Sequence, residues 1–93
     1  MIPRDKKYLD FVRGLPCCIC GSKAEAHHAG RHYTGVKPSD YTAIPLCHVH
    51  HMELHQIGHI QFQKKHGTSL TREIAACLHL HVSGSRLELP NRI

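Results

Sequence analysis

The chain has 93 residues, with 12 Lys and Arg against 7 Asp and Glu, for a formal charge of +5. That is one domain's worth of sequence, and with 5% aromatic residues and no Trp its core is thin. No apolar run approaches the roughly 20 residues that a bilayer span needs, and the charged opening, Met1 to Lys7, has no apolar stretch after it, so neither a membrane helix nor a secretory signal is expected.

The elements follow in chain order. Residues 5–14 predict a helix: Tyr8, Leu9, Phe11 and Val12 form an apolar stripe, Asp5 can cap it, and Gly14-Leu15-Pro16 ends it. Pro16-Cys17-Cys18-Ile19-Cys20-Gly21 predicts a tight thiol-rich knuckle. Residues 24–29 can form a strand, and residues 30–40, with Gly30, Gly35 and Pro38, a loop. Residues 42–46 are a short extended run in which Pro45 favours an edge strand. From Cys47 the pattern is helical to about Gln56, Gly58 breaks it, and 59–66 is a second short helix stopped by Gly67. Ser69 can cap a last helix with Leu70, Ile74, Cys77, Leu78 and His81 at helical spacing. In so small a domain that apolar stripe is expected to close the core rather than to serve a dimer.

A chain with a thin core usually needs a staple. The sequence holds 11 His and 5 Cys, and an odd number of cysteines without a secretory signal argues for metal-bound thiolates over disulfides. Cys17-x2-Cys20 is one pair at metal-ligand spacing, and Cys47-x2-His50 is a second, starting 27 residues after Cys20. Two short pairs suit tetrahedral Zn²⁺, because each grips one edge of the tetrahedron. Buried reduced cysteines are the plainer alternative. Cys18 has the wrong spacing and is read as packing; Cys77 lies on the apolar face of the last helix and is read as core.

One zinc ion leaves most of the histidines unexplained. His51 and His55 are one helical turn apart on one face, while His50 points about 100° away. One helix can therefore serve two sites. His27 and His28 are adjacent: on a strand they point to opposite faces, and on a bent backbone they converge. If His27 completes a three-histidine site, the ion keeps open positions, as catalytic metals do. His28 would then be a free imidazole beside it, suited to taking a proton from water. His32, His48, His59, His66, His79 and His81 are read as solvated surface residues.

The stretches Leu15 to Gly21, Ala26-His27-His28, Lys37 to Asp40 and Ile44 to His55 together resemble the HNH (ββα-metal) endonuclease superfamily. They look most like its small phage-type members, including those related to phage recombination-enhancement nucleases. The resemblance covers roughly residues 8–66. It implies an α+β fold: a small zinc-stapled ββα-metal domain with flanking N- and C-terminal helices. Residues 1–93 would be a single domain, with the motif core at about 15–56, the C-terminal helix at about 69–82 and a tail at 84–93. It implies His27, His51 and His55 as ligands of a divalent ion, and His28 as general base, oriented by a backbone carbonyl. Many members have Asp where this chain has His27. Three imidazoles favour Zn²⁺, Ni²⁺ or Mn²⁺ over Mg²⁺ at that site, beside the structural zinc. The motif's central Asn has no match; Asp40 and Thr42 stand near its place, and Asp40 can pin the loop by accepting backbone N–H bonds.

The resemblance further implies hydrolysis of the DNA phosphodiester, with a recombination protein as an admissible partner, in the cytoplasm of a bacterial or phage-infected cell. Arg31, Lys37, Lys64 and Lys65 are candidate phosphate contacts, and each reads equally well as a solvated basic residue. The rivals are a non-catalytic zinc module that binds DNA or protein, and a metal-storage protein. Neither accounts for both the thiolate pairs and the arranged histidines.

Overall fold

The computed structural model describes residues 4–30 and 38–83. Among them, helix α1 (Lys6–Arg13) is followed by strand β1 (Glu25–His28), a 3-10 turn (Asp40–Thr42), strand β2 (Ala43–Leu46), and helices α2 (His48–His66) and α3 (Leu70–Ser83). The domain is a small α+β unit with a two-stranded sheet and three helices.

The helix ends follow their local chemistry. The Asp5 carboxylate caps α1 by accepting from the Tyr8 N–H at 3.0 Å. Cys47 caps α2, its Sγ facing the His50 N–H at 3.5 Å. Gly58 interrupts α2 with φ 85° and ψ 164°, a conformation that L side chains rarely adopt, so the helix is two segments joined at a kink. Gly67 closes it in the left-handed conformation. The Ser69 hydroxyl then accepts from the Arg72 N–H at the start of α3.

The strands are antiparallel, pairing Glu25 with Leu46, Ala26 with Pro45, His27 with Ile44 and His28 with Ala43. Pro45 is tolerated because each strand of a two-stranded sheet has a free edge. Its carbonyl accepts from the Cys18 N–H at 3.0 Å, tying the thiol knuckle to the hairpin.

Both faces of the hairpin are covered. Ile44 and Leu46 pack with Leu54 and Phe62 of α2, and Leu70 of α3 joins them. On the other face, Ala43 meets Tyr8 and Val12 of α1 and Cys77 and Leu80 of α3. The last helix therefore closes the core. The exposed His81 lies against its edge: the ring stands edge-on to Tyr8 and tilted against Phe11, each at 4.9 Å between centroids. No helix among the described residues is long and apolar enough to cross a membrane.

Candidate metal centres

The first centre gathers the knuckle and the start of α2. Ligand atoms of Cys17, Cys20, Cys47 and His50 all lie within 4.8 Å of one another, and this set could bind a metal such as zinc. The Sγ atoms of Cys20 and Cys47 are 3.7 Å apart. His50 Nδ1 is 3.2 Å from Cys47 Sγ and 3.8 Å from Cys17 Sγ. With Zn–S near 2.3 Å and Zn–N near 2.0–2.1 Å, a tetrahedron has S···S edges of about 3.8 Å and S···N edges of about 3.6 Å, so the donors fit Zn²⁺. The backbone is arranged for thiolates, with the Ile19 N–H 3.4 Å from Cys17 Sγ. The Ser22 hydroxyl and N–H pull the Cys20 thiol down to about 6. Burial pushes Cys18 up to about 12 and Cys77 up to about 11, so those two remain neutral thiols.

The second centre lies between β1 and the adjoining face of α2. His27, His51 and His55 each place a ring nitrogen within 4.8 Å of the others. Their ring centroids are 4.8 Å (27–51), 5.3 Å (27–55) and 4.9 Å (51–55) apart. His27 is 5% exposed, and its Nε2 is buried with no hydrogen-bond partner among the described residues. Burial, then the neighbouring imidazoles, pushes His27 down to about 3, so the ring is neutral and can offer a lone pair to a cation. His55 is exposed, which leaves the cluster open to solvent on one side.

Strand alternation turns His28 away from this cluster, onto the α1 side of the sheet. There its Nε2 lies 2.8 Å from Oδ1 of Asp40, which is 3% exposed. Asp40 Oδ2 accepts from the Asp5 N–H at 2.6 Å, and Arg4 adds an ion pair at 3.4 Å. Burial raises the Asp40 carboxyl, but the bonds from His28 and Asp5 outweigh it and hold the group below its ordinary value. An ionised Asp40 must accept, so His28 carries its proton on Nε2 and presents Nδ1 as the basic nitrogen. A side-chain carboxylate, not the expected backbone carbonyl, thus orients His28. Asp40 also pins the loop, through the Asp5 N–H.

Other residues have partners that sequence spacing does not reveal, although His48 is exposed as expected. His48 Nδ1 and His51 Nδ1 lie 3.1 and 2.7 Å from the two oxygens of Glu25, a residue the sequence reading passed over. His59 stands edge-on to His27 at 5.8 Å between centroids. His66 lies 2.6 Å from Glu53 and edge-on to His50, and His50, Glu53 and His66 form a third ligand-type cluster behind the thiolate centre. Lys65 is paired with Glu53, whereas Lys64 is exposed. Arg31, Lys37 and His32 lie outside the described residues.

The fold and donor sets together define a small α+β domain that carries clusters of side chains able to hold a metal ion. The chain belongs to the family described as "Protein of unknown function (DUF968)", whose model matches residues 2–80. It is similar to the uncharacterized protein YdfU of Escherichia coli (strain K12), at 38% identity over 69 residues. The match covers 70% of this chain and 20% of that protein, so the chain spans about a fifth of the length of this relative. No solved structure matches the chain.

Proposed function

We propose that the domain is a metal-dependent DNA endonuclease of the HNH (ββα-metal) type. The observation that carries this reading is the orphaned Nε2 of His27, buried in a ring that meets His51 and His55. A buried imidazole nitrogen without a partner is costly unless something occupies it, and three converging imidazoles suit a divalent cation. Zn²⁺ would serve the thiolate centre, and Zn²⁺, Ni²⁺ or Mn²⁺ the histidines. A histidine-bound ion would supply charge neutralisation at a phosphate oxygen and at the leaving oxygen.

The remaining steps belong to the chain. His28, the last residue of β1, would take a proton from the attacking water through Nδ1, which requires the scissile phosphate to lie over the strand end that the two faces share. Asp40 holds the tautomer that makes this proton transfer feasible and stabilises the imidazolium that forms. The +5 charge draws in the phosphodiester backbone, with Lys64 among the exposed cations. The open side at His55 admits a polymer that an enclosed cavity would exclude. A cleft of about 340 Å³ lined by Leu15, Cys18, Cys77 and Leu80 lies behind the knuckle and takes no part.

The test is incubation with supercoiled, linear and single-stranded DNA in Mg²⁺, Mn²⁺, Ni²⁺, Zn²⁺ or EDTA. The expected result is ion-dependent nicking that EDTA stops and His28→Ala abolishes without loss of fold or zinc. DNA binding without cleavage under every ion would make the domain a non-catalytic zinc module instead.

A further inference from the structure

We infer that Glu25 is a positioning residue for the histidine centre, fixing His51 so that its outer nitrogen is committed to a cation. The inference rests on the proposed ion-binding role of His27, His51 and His55. It is carried by three observations. Glu25 and His27 are two residues apart on β1 and therefore on the same face of the hairpin, the face that α2 covers. One Glu25 oxygen lies 2.7 Å from His51 Nδ1. The other lies 3.1 Å from His48 Nδ1, one turn earlier on α2, so two contacts set the plane of the carboxylate.

The chemistry follows from proton placement. Both Glu25 oxygens face imidazole nitrogens, and a carboxylate in that position accepts from them. The shared proton of the His51 contact is therefore on Nδ1, and the lone pair is on Nε2. A carboxylate behind a ligating imidazole fixes ring orientation and raises ligand basicity, and losing such a partner typically costs about 10–100-fold in metal affinity. Without Glu25, His51 is free to change tautomer and to rotate, since its side chain is 18% exposed.

Two measurements on the zinc-loaded chain test this. Co²⁺ titration followed by ligand-field absorption reads the histidine centre separately from the thiolate centre, whose sulfur-to-metal charge transfer marks it. In the parent, a second ion is expected, and His51→Ala should abolish it. Glu25→Ala should weaken it by about 10–100-fold and Glu25→Asp should recover part of the loss. Thermal unfolding and the thiolate signature should stay unchanged in both. Ring ¹⁵N NMR without the second ion should find His51 with its proton on Nδ1 in the parent and redistributed toward Nε2 in Glu25→Gln, an isosteric change that tests the charge alone. A second ion that survives His51→Ala overturns the three-histidine centre itself. Loss with His51→Ala, but parental affinity and tautomer in both Glu25→Ala and Glu25→Gln, overturns the role of Glu25 only.

Discussion

Asp40→Asn separates the proposed chemistry from the fold. Asp40 is 3% exposed and accepts from the Asp5 N–H at 2.6 Å, from His28 Nε2 at 2.8 Å and from Arg4 at 3.4 Å. An amide offers one acceptor oxygen and one donor nitrogen. The Asp5 N–H can only donate, so it takes the amide oxygen and the NH₂ group is turned toward His28. To meet a donor, His28 must expose a lone pair at Nε2 and move its proton to Nδ1. The nitrogen assigned to take a proton from water then already holds one. General-base catalysis typically contributes about 10²–10⁴-fold, so nicking should fall by a factor on the order of 10²–10⁴. The bonds from Asp5 and His28 survive without an ionic acceptor, and the Arg4 ion pair is lost. A bond to a charged group is worth about 1.5–3 kcal/mol against about 0.5–1.5 for a neutral one, so the fold should lose roughly 1–3 kcal/mol in all. The assay is single-turnover nicking of supercoiled DNA, with thermal unfolding and metal content measured on the same preparation. A folded, metal-replete Asp40→Asn protein that nicks within about threefold of the parent would refute the assignment of Nδ1 as the base.

Stripping zinc with a strong chelator, or replacing Cys47 by Ser, should unfold the domain, because structural zinc in small modules contributes about 10–16 kcal/mol of apparent binding energy at neutral pH; loss of the far-UV signal in step with zinc release checks this. Phe62 is fully buried against the hairpin, so Phe62→Ala should cost about 3–5 kcal/mol in urea unfolding. A Cβ on Gly30 would stand 2.7–2.8 Å from three side-chain atoms of Thr42, the last residue of the turn that carries Asp40, so Gly30→Ala should lower both the melting temperature and the nicking rate.

The parts of the fold that local chemistry decides were legible in the sequence. Asp5 as a cap, the break at Gly58, the stop at Gly67 and Ser69 opening the last helix each depend on one residue and its near neighbours. The pairing of Cys17 and Cys20 with Cys47 and His50 was legible as well, because spacing within each pair carries the signal. What depended on register was hidden. Glu25 meets His51 across 26 residues, and only the docking of α2 onto β1 brings them together. A single Glu on a short strand carries no periodic signature that would have singled it out. The Asp40 contact to His28 was missed for a related reason: the resemblance led to a backbone carbonyl, and the carboxylate arrives from the turn before β2. His66, read as solvated, packs against Phe62, while His81 is exposed as expected and still lays its ring against Tyr8 and Phe11, since an imidazole presents a flat apolar body as well as its nitrogens.

Four residues of β1 explain why so short a chain can separate two chemical tasks. An isolated two-stranded hairpin is marginal in water, yet this one is clamped on both faces and joined to the knuckle through Pro45. A strand repeats every two residues, so Glu25 and His27 share the α2 face while His28 points to the α1 side. In the proposed enzyme, that alternation keeps the base out of the cation's coordination shell although the two are adjacent in sequence. A nitrogen that coordinated the ion would lose the lone pair it needs for the proton. The asymmetry of partners reinforces the division: Glu25 engages Nδ1 of His51 and leaves Nε2 for a cation, whereas Asp40 engages Nε2 of His28 and leaves Nδ1 for a proton.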